Sequence, residues 1–314
     1  MNILFFGSTG DSLLVLEKLS FLPPSPFPLI ISAVVTQPPK PVGRDQIITP
    51  TPVETWARQH NLPVLSFPND PAHTSRYLQE QTVIDTLAPF QADLLITAGY
   101  GQKIPIQTIR EATFGGLNVH PSLLPRWRGA DPVAWAIIAN DHQTGVTIVT
   151  LTENLDEGKI IAQKKIPITD TDTTDQLSAK LFTLGADLLA GLLSSSASKG
   201  LPFKGSPQDP KKATQARRLT RDDGFVPWEQ LLKATNDGTG AVTIDRKFRA
   251  LNPWPGLWTT IKVKRQKAKG KIIERRLKIL SLSLIASHLS LNSVQLEGKK
   301  PVPFTQFQEA YISN

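Results

Sequence analysis

Short apolar runs alternate with stretches of helical spacing along the first half of the chain. Asn2–Phe6 reads as a strand, and Leu13, Leu14, Leu16 and Leu19 mark one face of a helix over residues 12–20. Leu29–Val35 reads as a second strand. Helical patterns at Val53–His60 and Ser75–Leu87 flank a short strand at Pro63–Leu65. Asp93–Thr97 and Leu117–His120 are further strands, and Thr147–Leu151 is one more apolar run. This alternation predicts an α/β fold with a parallel, doubly wound sheet. In such sheets ligands lie beyond the carboxyl ends of the strands.

From Thr173 a capping-box pattern opens a helix with Leu177, Leu181, Leu184, Leu188 and Leu192 on its expected core face. The run Ser194–Gly200, followed by Pro202, Pro207 and Pro210, reads as a linker. Beyond it Leu257–Val263, Leu277–Leu284 and Ser293–Leu296 are β-rich and predict a second, smaller domain, a small barrel. The expected division is residues 1–200 for chemistry, 201–216 as linker and 217–314 as a basic C-terminal domain.

Charge sharpens that division. Residues 1–204 hold 15 Lys+Arg and 18 Asp+Glu, a balance of −3, whereas residues 205–314 hold 20 and 9, a balance of +11. A basic second half beside a mildly acidic first half points to a polyanionic partner for the former. Lys262, Lys264, Arg265, Lys267, Lys269, Lys271, Arg275 and Arg276 crowd one hairpin-like stretch, without the interleaved aromatics that stack bases. The absence of cysteine excludes disulfides, thiolate metal sites and cysteine nucleophiles. No apolar run is expected to reach the roughly 18 residues of a membrane span, and Met1–Gly7 reads as a strand rather than a leader. The expectation is a cytoplasmic protein with no resident metal and no membrane or obligate protein partner.

The chemistry concentrates in Gly116-Leu117-Asn118-Val119-His120-Pro121. Side chains alternate along a strand, so Asn118 and His120 share a side, and Pro121 ends the ladder because it has no N–H. A carboxylate, Asp156, follows at a turn after the next apolar run, and the three are expected to cluster at neighbouring carboxyl strand ends. Histidine holds or releases a proton near neutral pH, a carboxylate orients it, and an amide N–H meets a developing oxyanion. Together these are the parts for acyl transfer to an amine. Gly7-Ser8-Thr9-Gly10-Asp11 reads as a tight turn with a helix cap in preference to a phosphate cradle, and Gln37–Asp45 as a proline-stiffened exposed loop.

Asn118–Ala130, with Ser122-Leu123-Leu124-Pro125 and Arg126-Trp127-Arg128-Gly129-Ala130 inside it, resembles the formyltransferase superfamily that uses 10-formyltetrahydrofolate, in its branch acting on methionyl-tRNA. Thr144–Ile148, Leu155–Gly158, Val35–Pro38, Gly43-Arg44, Ala213–Thr220, Asn252–Gly256 and Gly298–Pro301 extend the resemblance to both ends. It implies catalytic roles for Asn118, His120 and Asp156, and folate contacts from Ser122, Leu123, Leu124 and Pro125. It also implies a grip on the tRNA acceptor end by Arg44, and a fold that joins a Rossmann-like, doubly wound, mainly parallel sheet to a second, smaller open β-barrel (OB-like) domain. The partners implied are the folate co-substrate and methionyl initiator tRNA, and the reaction belongs to translation initiation. The chain departs from the family pattern at Gly7–Ser12 and at Asp45-Gln46-Ile47. An amino sugar or a glycinamide ribonucleotide would suit the same chemistry, but neither needs so long a cationic surface.

Overall fold

The computed structural model describes residues 1–23, 28–43, 45–197, 203–264 and 272–312. Arg44 and the stretch 265–271 of the basic hairpin, both singled out above, lie outside the described residues. The chain divides into two compact units: Met1–Pro132 with Gln143–Pro167 and Asp175–Arg217, and Val133–His142 with Ile168–Thr174 and Arg218–Asn314.

The first unit begins with β1 (Asn2–Gly7), α1 (Gly10–Ser20), β2 (Ile30–Thr36), a hairpin of β3 (Lys40–Val42) and β4 (Ile47–Thr49), α2 (Pro52–Gln59) and β5 (Val64–Ser66). It continues through α3 (Glu80–Leu87), β6 (Leu94–Ala98), α4 (Ile106–Glu111), β7 (Gly116–His120) and β8 (Arg128–Gly129). After α5 (Pro132–Ile138), which groups almost wholly with the second unit, come β9 (Gln143–Thr150), β10 (Ile160–Pro167), α6 (Thr174–Ala197) and β11 (Gln215–Ala216).

Seven strands form one sheet in the order β10-β9-β7-β6-β1-β2-β5. The five from β5 to β7 are parallel, and the central β1 and β6 are buried on both faces, as in Ile3–Phe6 and Leu94–Ile96. β9 runs antiparallel to β7, and β10 antiparallel to β9. The sheet is therefore doubly wound and mainly parallel, with an antiparallel edge.

The tight turn after β1 caps a helix. Thr9 Oγ1 accepts from Ser12 N–H at 3.1 Å, and Ser12 Oγ accepts from Thr9 N–H at 3.0 Å. α6 differs in detail from the leucine face read above. Leu177, Leu181, Leu189 and Leu193 are fully buried, while Leu184, Leu188 and Leu192 are only half-buried. The reason is Gly185: a Cβ there would meet Val119 and Val146 side-chain atoms at 2.5 and 2.8 Å, so the helix approaches β7 and β9 along the stripe centred on this glycine. One helix does reach the membrane-spanning length that no apolar run was expected to reach. Thr174–Ser195 is long and apolar enough to cross a bilayer, at mean hydropathy 1.3, but its apolar stripe packs on the sheet.

The second unit is richer in helix than its β pattern suggested. It contains α7 (Trp228–Asn236), α8 (Ala241–Leu251), β12 (Leu257–Lys264), β13 (Ile272–Ile285), β14 (His288–Leu296), β15 (Val302–Pro303) and α9 (Phe304–Tyr311). The strands make an open antiparallel sheet in chain order, with α7, α8 and α9 packed against β14. Leu231, Ile244, Leu251 and Phe307 of those helices are buried, as are Leu277, Ile279, Val294 and Leu296 of the sheet. Register shifts around Ile279–Leu282 accommodate the length of β13.

Candidate active site

β7 presents Val119 to α6, so its neighbours Asn118 and His120 project from the opposite face of the sheet. Asp156 comes to them from the loop between β9 and β10, although not by the route the sequence suggested. Because β9 runs antiparallel, Thr150 lies opposite Leu117, near the start of β7. Asp156 thus cannot belong to a row of carboxyl strand ends. Instead the β9–β10 loop turns back over the face that Asn118 and His120 share.

Three polar groups meet at one carboxylate. Asn118 Nδ2 donates to Asp156 Oδ1 at 3.0 Å, and His120 Nδ1 lies 3.5 Å from the same oxygen, an ion-pair distance rather than a close hydrogen bond. Asp156 Oδ2 accepts from the Gly129 N–H at 2.9 Å. The His120 and Asp156 side chains are only 4% and 9% exposed, so water screens their interaction little. Nothing in the sequence pattern pointed to Gly129 in this role. Its φ is +115°, and a Cβ would meet the Ala216 carbonyl oxygen at 2.6 Å, so glycine is required for the N–H to reach the carboxylate.

Two further residues fix the orientation of the donors. Thr97 Oγ1 donates to Asn118 Oδ1 at 2.6 Å, which identifies the amide oxygen and turns Nδ2 towards Asp156. Asp156 takes one of the two Nδ2 hydrogens, and an amide carries a second. On the imidazole, Nε2 donates to the Trp127 carbonyl at 2.8 Å, which leaves Nδ1 facing the carboxylate. Trp127 and Asp156 both have left-handed backbones, with φ of +62° and +57°. Non-glycine residues rarely hold that conformation, and strain of this kind clusters at functional sites.

The loop after His120 is pinned to the antiparallel edge. Thr147 Oγ1 donates to Ser122 O at 2.6 Å, while Leu124 N–H and Gln163 Nε2 both donate to Thr147 Oγ1, at 3.2 and 2.8 Å. Gln163 Nε2 also reaches Leu124 O at 3.0 Å. Of the four residues expected at the folate, Ser122 and Leu124 are buried, and Ser122 Oγ donates to Arg126 O at 2.6 Å. Leu123 and Pro125 keep part of their surface exposed. Leu123 lies over Gly145, where any Cβ would also strike the Lys164 carbonyl oxygen. Tyr77 and Tyr100, hydrogen-bonded at 2.9 Å, are no acid–base candidates, because burial pushes both hydroxyls far above the usual phenol range. Among the described residues no three His, Asp or Glu side chains are grouped as metal ligands.

A buried carboxylate orienting an amide N–H and an imidazole is suited to acyl transfer. Comparison with known proteins agrees with this chemistry. A family described as formyl transferase matches residues 1–192, and one described as formyl transferase, C-terminal domain, matches residues 218–311. A methionyl-tRNA formyltransferase of Listeria monocytogenes is 39% identical over 263 residues, 84% of this chain and 76% of that protein. One of Chloroflexus aurantiacus is 38% identical over 259 residues, 82% and 76% of the two chains. Among solved structures, an N-formyltransferase of Helicobacter canadensis, in complex with folinic acid and dTDP-3-aminofucose, shares the fold. Its TM-score is 0.56 at 16% identity, over 90% of this chain and 88% of that one.

Proposed function

The chain belongs to the formyl transferase family, and from that premise we propose that it transfers the formyl group of 10-formyltetrahydrofolate to the α-amine of methionyl initiator tRNA, in the cytoplasm. The observation that carries the chemistry is the meeting of Asn118 Nδ2 and His120 Nδ1 at Asp156 Oδ1. The acceptor rests on relatives named methionyl-tRNA formyltransferase that match most of the chain, and on the +11 balance of residues 205–314.

In this reading the amine lone pair attacks the formyl carbon and the carbonyl oxygen becomes an oxyanion. Asn118 offers its second N–H to that oxygen, with the His120 imidazole beside it. Asp156 holds both donors and helps relay the proton released by the amine. The bond from the formyl carbon to N10 of the folate then breaks, and that nitrogen takes up a proton. Leu123 and Pro125, on the exposed side of the pinned loop, are proposed to line the folate site together with the backbone of Ser122 and Leu124. Arg44 is proposed to contact the acceptor end, and the basic second unit the tRNA body. Residues 1–200, 201–216 and 217–314 remain the proposed functional division.

The direct test compares acceptors: methionyl initiator tRNA, a nucleotide-linked amino sugar, glycinamide ribonucleotide, and water alone. Formylation is expected with the tRNA only. Its KM should rise about tenfold between 50 and 200 mM salt, the response to roughly two neutralised phosphates. Undetectable transfer to the tRNA would end the proposal. A second expectation concerns Thr97. Thr97→Val keeps the shape but removes the donor that fixes the Asn118 amide, and kcat should fall about tenfold, the worth of one such hydrogen bond. An unchanged kcat would detach Thr97 from the site.

A further inference from the structure

The stretch that precedes the second family match is bonded to both arms of the site. Ser206 and Ile160 exchange two backbone hydrogen bonds of 2.9 Å beside the Asp156 loop. Thr214 Oγ1 accepts from Trp127 N–H at 2.9 Å on the other arm, where the Trp127 carbonyl receives His120. Between these two attachments lies Gln208. Its Nε2 donates to the carbonyl oxygens of Asp156 at 2.7 Å and Gly158 at 2.8 Å. Its Oε1 accepts from Arg128 Nε at 3.1 Å and Nη2 at 2.9 Å. A guanidinium only donates and a carbonyl only accepts, so this amide orientation is the one that satisfies all four bonds.

Arg128 is itself buried and pairs through Nη1 with Glu157 Oε1 at 2.8 Å. The carbonyls on either side of Glu157 are thus held by Gln208, and the Glu157 side chain by Arg128. What they hold is the left-handed turn at Asp156, a backbone an L residue keeps only when its surroundings impose it. Gly158 completes the turn, because a Cβ there would collide with the Thr150 carbonyl oxygen. Released from Gln208, Asp156 would be free to leave this conformation, and its carboxylate would swing away from Asn118 and His120.

We propose that Gln208 is a positioning residue for formyl transfer, bracing the Asp156 turn against Arg128 so that the carboxylate meets Asn118 and His120. This rests on the mechanism proposed above, in which Asp156 takes part. The test uses the full-length enzyme and two variants. Gln208→Glu retains acceptors for Arg128 but has no N–H for the two carbonyls. Gln208→Met keeps the length of the side chain and makes neither set of bonds. Both should lower kcat about 30-fold, as expected when a reacting group is displaced by a fraction of an ångström, with KM for tRNA and folate little changed. The informative measurement is a double-mutant cycle in single-turnover formylation. In an Asp156→Asn background, Gln208→Glu should cost less than about threefold further, because the group it positions is already lost. The same proportional loss in both backgrounds, or wild-type kcat in both Gln208 variants, would overturn the inference. If Asp156→Asn alone retained near-normal rates, the mechanism itself would be refuted, a result distinct from failure of the Gln208 inference.

Discussion

Replacing Asp156 by Asn is expected to lower kcat for formyl transfer about 10³-fold, with tRNA affinity unchanged within about twofold. The native carboxylate uses both oxygens as acceptors, one for Asn118 Nδ2 and one for the Gly129 N–H. An asparagine has a single acceptor, so in either orientation its NH2 group faces one of those donors. Either Asn118 turns away or the Gly129 contact opens, and the loop shifts. The substitution also removes the negative charge beside the His120 ring, in a setting where both side chains are more than nine-tenths buried. Loss of one oxyanion donor costs ~10² to 10³ in rate, and loss of a carboxylate that orients a catalytic histidine costs ~10⁴, which brackets the expectation. Single-turnover formylation and filter binding of methionyl-tRNA separate rate from affinity. A rate close to the wild type would remove the carboxylate from the mechanism.

Asn118 and His120 were legible because their logic is local. Period-two alternation put them on one face, and Pro121 marked where the strand ends. Asp156 was legible as a residue at a turn but not in its placement. Antiparallel pairing of β9 with β7 is a long-range choice that an apolar run does not encode. The same limit hid β10, whose Lys164 and Lys165 are exposed on an edge strand, and the helices of the second unit, where β-rich segments dominated the pattern. On α6 five leucines suggested one face, and Leu177 and Leu181 do lie on it, but beyond Gly185 the buried stripe runs through Leu189 and Leu193, where the helix approaches Val119 and Val146 closely. Thr97, Gly129 and Gln208 carry no chemical signature of their own. They matter through the hydrogen-bond partners that each finds after folding, one each for Thr97 and Gly129 and three residues for Gln208, and single sequences do not announce such partners.

Asn118→Asp is expected to be more damaging than Asn118→Ala, although it is the smaller change in shape. Alanine removes the amide N–H offered to the oxyanion, a loss of about 10²-fold in kcat/KM. Aspartate keeps an acceptor for Thr97 but sets its other oxygen where Nδ2 now stands, 3.0 Å from Asp156 Oδ1. Two carboxylates at that distance do not both ionise freely, and the proton they share is bound more tightly than by either alone. Above the raised pKa of the pair the site holds two negative charges against a developing oxyanion, and the loss should reach about 10³-fold or more at neutral pH. Below it the shared proton removes one charge and restores a hydrogen-bond donor. The sign follows: the ratio of Asn118→Asp to wild-type kcat/KM should rise as pH falls from 8 to 5. The Asn118→Ala ratio should stay flat, because alanine adds no titrating group. Dividing by the wild-type profile cancels protonation of the amine substrate, which slows both enzymes alike. Equal, pH-independent losses in the two variants would mean that the residue at position 118 does not face Asp156 during the reaction.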